Sequence, residues 1–461
     1  MKSIWKQDTP ITARKGLQND MSTQVVVIGG GMAGILTAFF LQKKGLHVIV
    51  LEADRIGSGQ TQNTTAKITS QHGLFYADAV YKIGKKRTTA YALANENAID
   101  EFEKLINDER IDCSFKRLSS YIYTTQNENK KKLKHEAKTA AGFGIDAEYV
   151  EGTHITELPF PIAGAVCFKN QAQFHPLVFL RHLAKKLTIY EHTKVLSVKG
   201  HTVYTESNRI EADYIVFATH YPFLNLPGFY FLRQHQERSY CLALRNQKEL
   251  SGMYYSMDEN GLSFRSEGEY LLLGGGFHRT GKKITCQDKE YGYTFLREAV
   301  KKLYTDAETA FAWSAQDCMP HDDIPFIGKY SVFCPYWYVA SGFKKWGMTS
   351  SMIAAKIIST RIYEESVKEY SEKKESLKYE YVFSPQRFLP MAAAKKLVID
   401  IGESICGLTK GLFSKNEQRC PHMGCKVEWN PQENSWDCPC HGSRFSYEGE
   451  LRDNPAQTNL K

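Results

Sequence analysis

The chain predicts an α/β protein: a Rossmann-like nucleotide-binding domain, an antiparallel-sheet domain beside it, and a small all-β domain at the C-terminus. Three observations carry this. A glycine-rich turn, Gly29-Gly-Gly31-Met-Ala-Gly34, stands near the start between an apolar run and a helical stretch. Strand-like runs such as Arg238 to Leu244 and Tyr270 to Gly274 occupy the middle, and the tail from Cys420 onward is short, rich in turn residues and punctuated by cysteine and histidine.

The first unit reads in order as strand, G-x-G-x-x-G, helix, strand and carboxylate. Gln24-Val-Val-Val-Ile-Gly29 is the continuous apolar run of a buried parallel strand, a helix is expected from about Met32 to Lys44, and His47-Val-Ile-Val-Leu-Glu52 ends a second strand on an acid. Gly29 permits the tight turn, Gly31 lets backbone approach a pyrophosphate, and Gly34 lets helix and strand pack closely, while the helix N-terminus offers N–H groups to negative charge. Glu52 is placed to accept hydrogen bonds from an adenosine ribose, which argues against a 2′-phosphate and so against NADP. The motif alone leaves NAD and FAD both open.

Later segments narrow the choice by resemblance. Arg55-Ile-Gly-Ser-Gly59 with Thr64-Thr-Ala-Lys67, the strand Ala212 to Thr219, and Asp322-Asp-Ile-Pro325 followed by Tyr338 to Phe343 and Trp346-Gly347-Met348 resemble the flavin-contacting segments of the D-amino-acid oxidase, glycine oxidase and sarcosine oxidase superfamily. The resemblance implies FAD, with Gly29, Gly31, Met32, Ala33, Gly34, Glu52, Thr64, Thr65, Val195, Ala218, Thr219, Gly342, Trp346, Gly347 and Met348 as cofactor-binding positions. A helix opening at Gly347 would turn its N-terminal dipole toward a reduced flavin's N1/O2 edge. Family architecture assigns roughly 81–165 and 228–312 to a substrate domain. No pattern selects its catalytic residues: His72, Arg265, His278 and Arg279 could each face the flavin but read more readily as solvated or structural groups, and Cys318 stands at a different offset from the cysteine that attaches flavin covalently in some sarcosine-oxidase-like members.

Beyond the flavin helix, a charged segment from Tyr363 to Lys374 is followed by Ser384-Pro385 and Pro390, which mark a boundary. Leu397, Val398, Ile401, Ile405 and Leu408 then recur near helical spacing. Such a helix could lie on a membrane surface; the expectation is that it packs on the preceding domain and supports the tail.

The tail holds Cys420-x-His422 and Cys438-x-x-His441. Two thiolates on one iron and two imidazoles on the other make the ligand set of a Rieske [2Fe–2S] cluster, although Cys2His2 also suits zinc. Each half-site here mixes one cysteine with one histidine and carries a further cysteine, Cys425 or Cys440, unlike the C-x2-4-C and H-x3-5-H spacing of zinc fingers. The two loops resemble those of respiratory-type Rieske proteins, which implies metal ligands Cys420, His422, Cys438 and His441 and a disulfide between Cys425 and Cys440. There are two departures. Phe445 stands where that family has a tyrosine near a cluster cysteine, which should lower the potential within the Rieske range of about −150 to +300 mV. Only about ten residues separate the helical stretch from Cys420, so the strands that precede the first loop in a full Rieske domain are missing: either the domain is shortened or another part of the chain supports it.

The resulting divisions are 1–21, an N-terminal extension; 22–390, the FAD-dependent oxidoreductase domain; 391–413, a linker helix; and 414–461, the cluster-binding domain. The expected function is a dehydrogenase-type half-reaction that takes a hydride from a small organic substrate, an amine or amino acid, onto FAD and passes electrons singly to the cluster. An electron acceptor or donor would dock near His422 and His441. A cluster-fed reductase running the other way, or a non-catalytic redox sensor, remain alternatives.

Composition excludes other classes. A net charge of +8 over 461 residues is modest, and lysine pairs such as Lys43-Lys44 and Lys373-Lys374 are scattered over solvated faces without a nucleic-acid module. Without an apolar signal core or a long apolar span the chain reads as cytoplasmic, with peripheral membrane association left open.

Overall fold

The computed structural model describes residues 2–7, 9–367, 378–414 and 418–460; the Lys373-Lys374 pair and the end of the charged segment lie outside them. The N-terminal apolar run forms the strand Met21–Ile28 at the centre of an eight-stranded sheet. It pairs in parallel with Val48–Leu51 on one side and Arg209–Phe217 on the other. Thr188–Tyr190 extends the sheet on the first side, Cys334–Ser341 on the second, and Phe326–Ser331 closes that edge antiparallel. Val25 through Val27 are fully buried, as strands covered on both faces must be. The helix Met32–Lys43 is buried almost all round because the long helix Gly347–Val367 packs over it.

A nine-stranded sheet forms the second layer. Glu308–Pro320, Gln234–Arg245, Tyr270–Arg279, Ser263–Glu267 and Gly252–Ser256 run antiparallel in that order, and Lys116–Thr124, Gly164–Gln173 and Lys67–Ile68 continue it. The expected antiparallel sheet has one parallel pair within it: Gly252–Ser256 joins Lys116–Thr124 in parallel, because these strands come from separate stretches of chain and no hairpin dictates their direction. The long helix Lys85–Glu109 lies just before the strand Lys116–Thr124 in sequence and ends on Arg110 in the left-handed conformation at φ 52°.

The C-terminal unit is a four-stranded antiparallel sheet, Glu428–Asn430, Ser435–Asp437, Arg444–Phe445 and Leu451–Asp453, over a small core of Val427, Phe445, Ala456 and four cysteines. Apart from an isolated bridge between Arg419 and Lys426, the described residues give it no strand ahead of Cys420. The linker helix Pro390–Leu412 and the nine-stranded sheet take that supporting place. A Cβ at Gly407 would meet the Cys440 sulfur at 2.5 Å and one at Gly411 the Gly424 carbonyl oxygen at 2.1 Å, so the helix lies on the cluster loops through glycines. The expected packing is therefore right in place and wrong in face. Asp400, Gly407 and Gly411 point inward, while Val398, Ile401 and Ile405 are exposed, since only small side chains permit so close an approach.

Candidate functional site: a nucleotide cleft walled by a cysteine–histidine tail

A cleft of about 920 Å³ opens at the C-terminal ends of the parallel strands. Gly29, Gly31, Met32, Ala33, Glu52, Thr64, Val195, Ala218, Thr219, Gly347 and Met348 line it, bringing most of the expected positions together. Gly34 stands behind them: a Cβ there would lie 1.9 Å from the Gly29 carbonyl oxygen, which is the helix–strand contact its motif position calls for. Thr65 and Trp346 line a smaller cavity next door. Gly342 lines neither; it holds a φ of +73° and packs against Pro320, so its glycine serves the turn rather than a ligand.

The cleft has the features a dinucleotide needs. A Cβ on Gly31 would meet only Thr61 Oγ1, at 3.4 Å, which leaves the backbone open to a bulky anion. Thr61 Oγ1 also accepts from the Met32 N–H at 3.0 Å, a cap the sequence reading missed because a hydroxyl 29 residues downstream leaves no local signal. Glu52 accepts from the N–H groups of Gly30 at 2.6 Å and Asp54 at 2.9 Å. Burial raises its pKa, and those two donors pull against that rise.

The smaller cavity, about 100 Å³, shares Thr64, Asp317, Lys345, Gly347 and Met348 with the cleft and adds Lys67, Tyr255, Phe277 and Trp346. Two lysines dominate it. The ammonium of Lys67 lies out of water although the residue as a whole is only half-buried; burial first, and the charge of Arg265 second, lower its pKa to about 7. Lys345 bonds to Ser239 Oγ at 2.9 Å and pairs with Asp317 at 3.1 Å and Glu237 at 3.5 Å. Burial opposes its charge, but the two carboxylates win and raise its pKa. Lys67 falls within the quoted Thr-Thr-Ala-Lys segment, yet only the folded sheet shows that its side chain faces a cavity.

The residues the sequence left undecided are structural. His72 is buried between Tyr91 Oη at 2.6 Å and the Thr69 carbonyl at 2.7 Å, stacked on Trp346. Burial holds its pKa down at about 3. Arg265 donates to the Thr65 carbonyl at 2.6 Å and pairs with Glu267; His278 meets Tyr240 Oη at 2.9 Å. Cys318 lines neither cavity, and burial raises its thiol pKa well above the usual value.

The two cysteine–histidine loops are built alike. Cys420 N–H donates to the Cys425 carbonyl and Gly424 N–H to Cys420, each at 2.8 Å; Cys438 N–H donates to Ser443 at 2.8 Å and Gly442 N–H to Cys438 at 3.0 Å. Gly424 and Gly442 hold matching φ values of +85° and +86°, which only glycine adopts without strain. Cys420 and Cys438 are hydrogen-bonded to each other, so their sulfurs converge, and the Ser443 hydroxyl also bonds to Cys420. The His422 and His441 rings stand 5.0 Å apart and perpendicular. Their Nδ1 atoms are buried with no hydrogen-bond partner. Two converging thiols and two orphaned imidazole nitrogens fit a binuclear cluster with split ligation. Cys425 and Cys440 form the disulfide beside them.

The histidine face is not open to solvent. His422 Nε2 bonds to Asn225 Oδ1 at 2.7 Å, Phe231 packs edge-on at 5.8 Å from His441, and His441 is only 3% exposed. The tail docks histidine-first on the larger domain, so the loop carrying Asn225 and Phe231 lies against the imidazoles, the expected docking site of a partner.

That docking is polar and buried. Arg279 donates to the carbonyls of Pro439 at 3.0 Å and Cys440 at 3.1 Å, and pairs with Asp400 of the linker helix. Gln236 donates to the carbonyls of His441 at 2.7 Å and Asn454 at 2.9 Å. Asp400 also takes His235 Nδ1 at 2.8 Å and His321 Nε2 at 2.5 Å, and His235 Nε2 reaches Glu237 at 3.5 Å. Asn454 donates to the carbonyls of Thr219 at 3.2 Å and Tyr221 at 2.9 Å, so the tail closes over the nucleotide cleft itself; Glu433, Arg444, Asp453 and Asn454 line it.

A dinucleotide cleft with one wall made by the tail that also carries a cysteine–histidine site defines a two-centre oxidoreductase. A family model described as FAD dependent oxidoreductase matches residues 24–361, and one for the Rieske [2Fe-2S] domain matches 397–461. The chain belongs to the FAD-dependent oxidoreductase family of D-amino-acid oxidase type and carries a C-terminal Rieske domain. The Rieske 2Fe-2S iron-sulfur protein YhfW of Bacillus subtilis (strain 168) is 34% identical over an alignment covering 100% of this chain and 97% of its own. The cytochrome b6-f complex iron-sulfur subunit 2 of Synechocystis sp. is 49% identical over 41 residues, 9% of this chain and 23% of that protein. Among solved structures, glycine oxidase from Geobacillus kaustophilus superposes with a TM-score of 0.65 at 18% identity, covering 80% of this chain and 99% of that one. L-proline dehydrogenase from P. horikoshii gives 0.63 at 18% identity, covering 80% and 98%. These two show the fold. No described helix is long and apolar enough to cross a membrane.

Proposed function

We propose that the protein is a dehydrogenase-type oxidoreductase that oxidises a small amine or amino acid and releases the electrons through its C-terminal cluster. The observation that carries this reading is the shared wall: Asn454 and Asp453 of the tail line the same cleft as Gly29, Glu52 and Thr219. When bound, FAD supplies hydride acceptance and the Rieske cluster one-electron transfer. Gly29, Gly31, Glu52 and the N-terminus of the helix at Gly347 would hold the dinucleotide, and Cys420, His422, Cys438 and His441 the cluster. The accompanying divisions are an oxidoreductase domain over 22–390, a linker helix over 391–413 and a cluster domain over 414–461.

The smaller cavity is where the substrate would sit. At about 100 Å³ it admits a few heavy atoms, and the aromatic side chains of Tyr255, Phe277 and Trp346 keep bulk water out. Lys345, held by Asp317 and Glu237, stays charged and offers a fixed cation to a substrate carboxylate. Lys67, near neutrality in its pKa, can hold or release a proton at Nζ as substrate binds. The amino-acid-oxidising names of the structural relatives agree with such a substrate.

The test is anaerobic titration of the purified protein with a panel of amines and amino acids. One compound should bleach the flavin band and, in rapid mixing, bring up Rieske-type EPR within the same turnover. Bleached flavin with an oxidised cluster would sink the proposed electron path.

A further inference from the structure

The strand Met21–Ile28 opens the nucleotide-binding sheet, yet the chain ahead of it does not trail away into solvent. It crosses the loops that rim the dinucleotide cleft and is tied to them at four points. Leu17 N–H donates to Thr193 Oγ1 at 3.0 Å, and Arg14 N–H to the Glu191 carboxylate at 2.7 Å. The Ile11 carbonyl accepts from the Arg55 guanidinium at 2.8 Å, and Trp5 Nε1 donates to the Thr64 carbonyl at 2.8 Å. Thr193 and Thr64 both line the cleft, and Thr193 N–H donates to the Glu52 carbonyl at 2.8 Å. The segment therefore runs from beside Glu52, the expected ribose ligand, to the loop whose Thr61 caps the helix at Met32.

The ties are buried. Glu191, whose side chain is fully enclosed, also accepts from Ile56 N–H at 2.9 Å and pairs with Arg55 at 2.9 Å, so one carboxylate joins the segment to the loop after Glu52. Trp5 is fully buried, stands edge-on to His175 at 4.9 Å and has the Arg265 guanidinium 5.5 Å from its ring. A buried indole with its N–H satisfied holds the turn around it as a core side chain would.

That turn reaches the cleft. Lys2, Ser3 and Lys6 line it. Ser3 is 2% exposed, and its hydroxyl is buried with no hydrogen-bond partner among the described residues. A buried hydroxyl left unpaired costs free energy, and a ligand in the cleft would satisfy it. Lys2 and Lys6 are exposed and make no ion pair among the described residues. A dinucleotide answers all three side chains: its phosphate oxygens accept from a hydroxyl, and their negative charge suits two ammonium groups.

We propose that residues 2–17 form a strap on the bound cofactor, with the Ser3 hydroxyl donating to the dinucleotide and the Lys2 and Lys6 ammonium groups offsetting its diphosphate charge. Trp5 and Arg14 are positioning residues that deliver this end of the chain to the cleft. The proposal needs bound FAD alone, and neither a substrate nor a direction of electron flow.

Flavin release from the holoprotein, followed as the rise in flavin fluorescence on dilution, is the test. Ser3→Ala should release flavin about tenfold faster than wild type, the effect of losing one hydrogen bond to a charged group. Lys2→Ala with Lys6→Ala should release it about threefold faster at low salt and match the wild type at high salt, where the charges are screened. Trp5→Phe, which keeps a ring but drops the bond to Thr64, should also speed release; combined with Ser3→Ala its effect should add only in part, because a loosened strap no longer delivers the hydroxyl. Rieske-type EPR at the wild-type level shows that a variant is folded, and should Ser3→Ala disturb it, Ser3→Gly takes its place. Loss of the Ser3 hydroxyl that leaves release at the wild-type rate overturns the proposal, as does a lysine pair whose removal changes nothing at low salt. A Trp5→Phe effect that adds in full to that of Ser3→Ala would overturn it too, returning the segment to a packing role.

Discussion

Replacing Glu433 with alanine should unlatch the Rieske domain from the sheet that supports it. Glu433 lies in the hairpin between Glu428–Asn430 and Ser435–Asp437, and its carboxylate takes Arg238 Nε at 2.9 Å and Nη2 at 2.5 Å, Tyr240 Oη at 3.1 Å and Arg444 Nη2 at 3.3 Å. Arg238 and Glu433 have side chains only 2% and 7% exposed. Arg444 would keep Asp437 at 3.1 Å and Asp453 at 2.9 Å, but Arg238 would keep only neutral partners, among them Gln316 at 3.2 Å. Breaking a buried pair so that one charge is left uncompensated costs about 3–5 kcal/mol. At about 2.1 cal/mol/K per residue, a chain of 461 residues shifts by about 1 °C per kcal/mol, so the melting temperature should fall by about 3–5 °C. Burial alone would raise the Glu433 pKa, but Arg238 and Arg444 hold it well below 4.5. Its contribution is therefore present above pH 4.5 and lost as pH falls through the depressed value, so wild type and variant should converge in acid. Scanning fluorimetry across pH, with cluster EPR on the same samples, is the assay. Arg238→Met combined with Glu433→Met should recover much of the loss, because apolar replacement of a buried pair is often close to neutral. A Glu433→Ala protein that melts within about 1 °C of wild type at neutral pH would refute the latch.

Asp400→Asn should loosen the linker helix and cluster loop together, lowering the melting temperature and the cluster content of purified protein. Burial alone would lower the His235 pKa, but its bonds to Asp400 and Glu237 raise it; the same contacts outweigh burial and depress the Asp400 pKa. The network's contribution should hold from about pH 4 to above 6.5, decline as pH rises through the raised His235 value, and be flat in the variant. Lys67→Met should abolish any step near pH 7 in the affinity of acetate followed by flavin difference spectra, since a Lys67 cation present below about 7 would favour the anion there; an unaltered profile removes Lys67 from the substrate site. Gly34→Ala, whose Cβ would fall 1.9 Å from a carbonyl oxygen, should yield protein without bound flavin or none that is soluble. Cys420→Ser should remove Rieske-type EPR while the flavin spectrum persists, and a retained signal would contradict the ligand set.

Much of the site was legible before folding because its chemistry is local. The turn at Gly29 to Gly34 and the acid at Glu52 answer to backbone geometry within one strand–helix–strand unit, and the cluster loops carry ligands, glycine and cysteine within six residues each. What could not be read depends on residues far apart in sequence. The Thr61 cap on Met32, the approach of Lys67 and Lys345 to one cavity across 278 positions, and the Arg238–Glu433 latch leave no periodicity or motif.

By itself, then, the sequence determined which cofactors this protein is built to hold, because nucleotide turns and cluster loops are specified by a few neighbouring residues. Only the tertiary structure decided that the tail walls the nucleotide cleft, which face of the linker helix stays uncovered and that the histidines point toward the larger domain. The reason is steric: glycines at 407 and 411 let the helix reach the loops, so the missing strands are replaced by a helix whose apolar side is left facing out.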